Sequence, residues 1–229
     1  KLIDEFCDLV LVGDSMANVL YGMKNTHILS LNTIINHAKS VKEGISKSLL
    51  VVDMPKNSYK SINQAKKNAK LILKKTKCDA IKIENNTKNL KIVKALVGSG
   101  INVMGHIGYT PQFKSKFRAE GKTLTEQKKL INEAKKIEKA GAFSIVLECI
   151  SKRTSLKITQ TIKIPTIGIG SSAFCDGQIL VTDDILGLSG FYPRFVKKYS
   201  NFEYLIRKSA KMFSKDVITQ KFPTNKNSY

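Results

Sequence analysis

The chain has 229 residues, with 39 lysines and arginines against 18 acids and a formal net charge of +21. No apolar run approaches the ~20 residues of a membrane span, no signal peptide is recognisable, and the four cysteines, Cys7, Cys78, Cys149 and Cys175, form no CxxC pair; a cytoplasmic protein with reduced thiols is expected. The lysines are spread over the predicted helices and not gathered with aromatics, and there is no tryptophan, so a nucleic-acid surface is not expected.

In chain order, KLIDEFCD reads as the end of a helix, and DLVLVGDS follows as a strand closed by Asp14 and Ser15. SLNTIINHAKSVKEG carries Leu31, Ile34, Ile35, Ala38 and Val41 at the spacing of one helical face. SLLVVDMP is a strand that ends on Asp53, and SINQAKKNAKLILKKTK is a helix through Ile62, Ala65, Ala69 and Ile72. DAIKIENN and INVMGHIG are strands that finish at Glu84 and His106. TLTEQKKLINEAKKIEKAG is a helix through Leu130, Ile131, Ala134 and Ile137, stopped at Gly141. AFSIVLEC ends at Glu148, IPTIGIGSS ends in glycine and serine, and a weaker strand is expected at RFVKKY.

Short runs rich in Val, Ile and Leu read as strands buried on both faces. Their alternation with helices argues a parallel sheet of βαβ units, and the length suits one (β/α)8 barrel of the TIM type. We assign residues 1–213 to that single domain and 214–229 to a polar tail. Only six clear strands are legible, the first directly behind a helix end, so the first barrel strand is expected to be missing from this chain.

In such a barrel the active site lies at the C-terminal ends of the strands. Asp14, Asp53, Glu84, His106 and Glu148 all close strands and would face one mouth. One strand-end acid is more often a turn former or helix cap, but five polar strand ends together favour a site. Residues two apart on a strand share a face. Lys82 and Glu84 therefore point one way, and Ile81 and Ile83 point towards the helices. A lysine inside a barrel is costly unless paired; it is either half of a buried ion pair or the partner of a bound carboxylate. Asp14, Asp53 and Glu84 offer oxygen ligands with no thiol or paired-histidine motif, a set that suits Mg2+. Such a cation can hold a 2-oxo acid and stabilise its enolate, with Glu148 as the base. Cys149 faces away and is taken as packing.

The segments LVGDS, HAKSV, VVDMP with SY, KIE, MGHIGYTPQ, AGAFSIVLE, IPTIGIGSSAFCDGQILV and FVKKY occur in this order between residues 9 and 199. The set resembles the ketopantoate hydroxymethyltransferase family. MGHIGYTPQ and CDGQILV are its most specific members. The resemblance implies a (β/α)8 barrel that transfers a hydroxymethyl group from 5,10-methylenetetrahydrofolate to 3-methyl-2-oxobutanoate, giving 2-dehydropantoate (ketopantoate) for pantothenate biosynthesis. It implies Asp14 and Asp53 as Mg2+ ligands and Glu84 as a ligand through water. It further implies Ser15, Lys82 and His106 as substrate contacts, Glu148 as the base that takes the C3 proton, and a homodecamer. The chain departs from the family pattern at Ala17, Asn85 and Asn86, where glycines are usual, at Lys56, where phenylalanine is, and at Ser171, in GIGSS for GIGAG. These changes bear on the pocket floor and on folate affinity.

Two other readings use the same residues. A Mg2+-dependent 2-oxo-acid aldolase or lyase of the phosphoenolpyruvate mutase type would need the same acids but no folate. A catalytically inactive barrel with a basic binding surface explains the charge but not the gathered acids.

Overall fold

The computed structural model describes residues 1–85, 89–114 and 117–229. All six apolar runs are strands: β1 (Leu9–Val12), β2 (Leu49–Asp53), β3 (Ala80–Lys82), β4 (Val103–Gly108), β5 (Ser144–Glu148) and β6 (Thr166–Ile169). A two-residue β7 (Gly177–Gln178) follows. Neighbours in sequence pair in parallel, in the order β1-β2-β3-β4-β5-β6-β7. Between them the chain returns through α1 (Met16–Val19), α2 (Leu31–Gly44), α3 (Ile62–Thr76), α4 (Leu90–Val97), α5 (Leu124–Lys139) and α6 (Lys152–Thr161). The curled sheet is open, with β1 and β7 at its edges, consistent with a TIM-type barrel lacking a strand.

The strand side chains divide between two faces. Leu50, Val52, Ile81, Ile83, Ile145 and Leu147 pack outward against helix residues such as Ile34, Ala69, Leu96, Ala134 and Ile158. Burying each large side chain of this kind contributes about 1.5–3 kcal/mol. The inner face carries a separate apolar layer of Val51, Ala80, Met104 and Val146, flanked by Leu9, Leu11, Ile167 and Ile169. Two residues further along each of the four central strands, on that same face, stand Asp53, Lys82, His106 and Glu148. Lys82 pairs in register with Met104, and His106 with Val146, so the stagger between strands carries this polar layer stepwise round the mouth.

The long helices start where their caps place them. Ser30, Ser61 and Thr123 accept the amides of Thr33, Gln64 and Glu126. Gln64 and Glu126 turn back to accept from the amides of Lys60 and Lys122, a reciprocal pairing close to a capping box. Beyond α5, Gly141 has φ +91°, and a Cβ there would stand 2.7 Å from Val97. The start of the chain is one 3-10 turn, Asp4–Phe6, in place of a helix end.

Asp4 ties this turn to the loop before β2. Its carboxylate accepts the amides of Ser46 (2.8 Å), Lys47 (3.1 Å) and Ser48 (2.9 Å) and the Ser46 hydroxyl (3.1 Å). The Ser48 and Ser46 amides hold its pKa well below the usual carboxylate range. A carboxyl depressed in the folded state adds stability that is full above its unfolded pKa of about 3.9; that stability is lost as pH falls towards the folded value. Asp4→Asn is therefore expected to be less stable than wild type at neutral pH. Its urea midpoint should also fall less than that of wild type between about pH 5 and pH 2. Parallel pH profiles for the two proteins would contradict this.

Residues Leu180–Tyr229 form a second compact unit. Its first helix, α7 (Thr182–Leu186), ends at Gly187 with φ +75°. RFVKKY is not a strand. After Pro193 the Val196 amide closes a turn onto the Pro193 carbonyl, and the amines of Lys197 and Lys198 lie over the rings of Tyr199 and Tyr192. The last helix, α8 (Phe202–Ile218), is capped by Asn201 and runs on past residue 214 into the segment expected as tail. It buries none of its residues, and Leu205, Ile206, Met212 and Phe213 are exposed along it. No helix among the described residues is long and apolar enough to cross a membrane.

Candidate active site

The site begins where β1 and β2 end. Val12 pairs with Val52, which sets the turn after β1 beside Asp53. Asp53 accepts the Asp14 amide on Oδ2 (3.1 Å) and meets the Lys82 ammonium at Oδ1 (2.6 Å). The strand-end acid thus both caps a turn and holds a charge. Lys82 also lies 3.4 Å from His106 Nδ1. His106 Nε2 lies 3.1 Å from Glu148 Oε2, close but without the alignment of a hydrogen bond. Glu84 is 4.0 Å from His106 Nδ1. Asp14, Asp53, Lys82, His106 and Glu148 therefore form one continuous line of contacts, with Glu84 beside it. Ser15 is half-buried, its hydroxyl turned over Gly13.

Burial separates the acids. Asp14 is 5% exposed, and Asp53 and Glu84 1% each, while the Glu148 side chain keeps 17% of its surface. Burial pushes the Asp53 carboxyl upward; Lys82 opposes this and Asp14 adds to it. Burial raises Glu84 well above its usual range, again against Lys82 and with Asp14. Burial alone would lower Lys82, but Asp53, Glu84 and Asp14 outweigh it and keep the ammonium charged. His106 is held below its ordinary value by burial and by Lys82, so the ring is neutral near pH 7. An ammonium only donates, so Nδ1 is the acceptor and the ring proton sits on Nε2, towards Glu148.

Three buried carboxylates thus face a single ammonium. Such a set is costly unless further positive charge is present, and its oxygen donors fit a hard divalent cation. Among the described residues no three His, Cys, Asp or Glu side chains close on one point. The geometry therefore suits an ion held by one or two carboxylates with the rest of its shell open, as Mg2+ prefers.

Backbone contacts aim Glu148. Gly108 has φ +93° and its Cβ position lies 2.1 Å from the Glu148 carbonyl, so only glycine fits there. Next to Glu148, Cys149 has φ +52°. The Ser171 hydroxyl spans this bend, donating to the Leu147 carbonyl (2.7 Å) and accepting the Ile150 amide (3.1 Å). The Cys149 thiol is buried and, chiefly by that burial, pushed up to about 12, as suits packing.

The other departures from the family pattern also have places. The Asn85 side-chain oxygen accepts the His106 amide (2.9 Å), and the Asn85 backbone N–H donates to the His106 carbonyl (2.8 Å), which extends the β3–β4 pairing beneath the imidazole. Ala17 is fully buried in the outer core. Lys56 reaches the His27 ring at 3.2 Å. Asn86 lies outside the described residues.

Sequence reasoning assigned no role to Gln112 or Tyr59, although both fall inside quoted motifs. Gln112 is fully buried at the centre of the acid cluster. Its amide NH donates to Glu84 Oε2 (2.9 Å), and its side-chain NH2 donates to Asp14 Oδ2 (2.9 Å) and to the Met54 carbonyl (3.1 Å). The Tyr59 hydroxyl donates to its Oε1 (2.5 Å). Burial, and then the nearby carboxylates of Glu84, Asp53 and Asp14, keep that hydroxyl protonated.

The family model described as ketopantoate hydroxymethyltransferase matches residues 1–225. A 3-methyl-2-oxobutanoate hydroxymethyltransferase of Pelagibacter ubique (strain HTCC1062) is 52% identical over 100% of this chain and 89% of its own length. The protein of that name in Clostridioides difficile (strain 630) is 43% identical over 100% of this chain and 86% of its own. Among solved structures, a phosphonopyruvate hydrolase superposes with TM-score 0.57 at 13% identity, covering 94% of this chain and 79% of that one. A 2,3-dimethylmalate lyase of the PEP mutase/isocitrate lyase superfamily gives TM-score 0.54 at 15% identity, covering 97% and 79%. Likeness at that level of identity speaks for the fold alone.

Proposed function

Because the chain belongs to the ketopantoate hydroxymethyltransferase family, we propose that its strand-end acids and Lys82 carry that family's chemistry. The protein is a 3-methyl-2-oxobutanoate hydroxymethyltransferase of pantothenate biosynthesis. The lyase alternative is not favoured.

In the proposed site, Asp14 and Asp53 would hold Mg2+, and Glu84 would serve it, by the family resemblance, through water. The observation that carries this is the burial of three carboxylates around one ammonium. When bound, the cation polarises the keto oxygen of the 2-oxo acid and steadies the negative charge that gathers there. Lys82 and Ser15 meet the substrate carboxylate and keto group. Glu148, the one cluster acid open to the mouth, removes the C3 proton. His106, neutral and with its proton on Nε2, stands 3.1 Å from the Glu148 carboxylate and lines the substrate side. The C3 carbon then gains a CH2OH group; 5,10-methylenetetrahydrofolate supplies the carbon, water supplies the hydroxyl oxygen, and tetrahydrofolate is released.

The proposal includes a homo-oligomer, a decamer by the family resemblance. The exposed apolar residues of α8 support it, since a face of that kind is usually covered in an assembly. It also places the protein in the cytoplasm, where its four free thiols suit a reducing compartment.

The test is turnover by the purified protein with 3-methyl-2-oxobutanoate, 5,10-methylenetetrahydrofolate and Mg2+. Ketopantoate should form, and should stop forming when either the folate or, by chelation, the metal is removed. Product formation that is independent of folate would defeat the proposal.

A further inference from the structure

We infer that Gln112 is a positioning residue for the acid cluster, fixing which oxygen of Asp14 and which of Glu84 faces a bound cation. The inference rests on the metal reading proposed above and assigns it a residue outside the ligand set.

Gln112 comes from the loop after β4, yet its polar groups reach the ends of three other strands. It touches Asp14 after β1, Met54 after β2 and Glu84 after β3. Every polar atom of its side chain is used. The amide can face only one way. With Tyr59 donating to Oε1, the NH2 group meets two acceptors, Asp14 Oδ2 and the Met54 carbonyl. Turned over, it would set its oxygen against both of those acceptors. Tyr59 is thus the orienter of the orienter, and its ring meets that of Phe113 edge to face, 6.4 Å between centroids.

The consequence concerns the free oxygens. Gln112 occupies Oδ2 of Asp14 and Oε2 of Glu84 with donors, leaving Oδ1 and Oε1 as the oxygens without its contact. A carboxylate held in this way cannot rotate to offer both oxygens. Partners that orient ligands in this manner typically change metal affinity by about 10–100-fold when removed.

The probe is Mn2+ alone, titrated by electron paramagnetic resonance without substrate, with thermal unfolding of each apo protein measured alongside. Gln112→Met keeps the length and removes every side-chain hydrogen bond. Tyr59→Phe removes only the hydroxyl, so the amide loses the donor at Oε1 and is held by its NH2 contacts alone. The expected result is a loss of Mn2+ affinity of about 10–100-fold in Gln112→Met, and a smaller loss in Tyr59→Phe, both measured well below the unfolding temperature. Gln112→Asn is too short to reach Tyr59 and Asp14 together and should not restore binding. If Gln112→Met does not fold, Tyr59→Phe decides. A role in packing alone would lower the unfolding temperature and leave Mn2+ affinity at the wild-type value, and that result overturns the inference. Wild-type protein that binds no Mn2+ defeats the metal reading and the inference with it; wild type that binds, with variants that bind equally, defeats the inference alone.

Discussion

Replacing Lys82 with methionine is expected to cost about 3–5 kcal/mol of folding stability, because one partner of a buried ion pair is removed and the other stays. Lys82 lies 2.6 Å from Asp53, and both are nearly inaccessible. It is also the one ammonium among the described residues set against Asp14, Asp53 and Glu84. At roughly 2–4 °C per kcal/mol for a chain of this size, the apo protein should unfold about 6–20 °C lower. Adding Asp53→Asn removes the stranded charge and should return a large part of the loss, while leaving the enzyme inactive because a proposed ligand and a proposed substrate contact are both gone. Thermal and urea unfolding of the two singles and the double give the coupling directly. A single Lys82→Met variant as stable as wild type would show that the pair does not hold this end of the barrel together.

Glu148→Gln should separate binding from chemistry. The side chain keeps its size and loses its basicity, and it is the one acid of the cluster with an open edge. The 2-oxo acid should still bind, while exchange of its C3 hydrogen with deuterium oxide, folate omitted, slows by about 10²–10⁴-fold, the usual contribution of a positioned base. Asp53→Asn should act otherwise and weaken metal and substrate binding together. Exchange that persists undiminished in Glu148→Gln would remove Glu148 from the role of base and leave His106 as the next candidate, in the opposite tautomer.

The polar layer was legible because a strand's period of two is strict. Once Val51, Ala80, Met104 and Val146 line the inside, Asp53, Lys82, His106 and Glu148 must follow them there, and the structure places them so. α2, α3 and α5 were legible from their apolar spacing, whereas α8, the longest helix, was not read, and its end was taken for a polar tail. α4 and α6 were not read, being short. β7 escaped because two residues carry no period, while RFVKKY has an apolar look but follows a proline that starts a turn. Gln112 was invisible for a different reason. Its bond to Asp14 joins residues 98 positions apart, and a buried amide in a loop has no local pattern to mark it. The sequence shows which residue types reach the mouth. It does not show which loop side chain turns in to hold them. Asn85 carries the same lesson: set down as a departure at the pocket floor, it turns instead to the backbone of His106.

The claim on which the rest depends is that the acids of β1 and β2 share one divalent cation. Crystals soaked in Mn2+ and measured at an anomalous wavelength test it directly. The account predicts one strong peak between Asp14 and Asp53, at about 2.0–2.2 Å from an oxygen of each, with Glu84 farther off and Gln112 still bound to Asp14 Oδ2. At saturating Mn2+, no peak there, or a peak held by other residues, would contradict it.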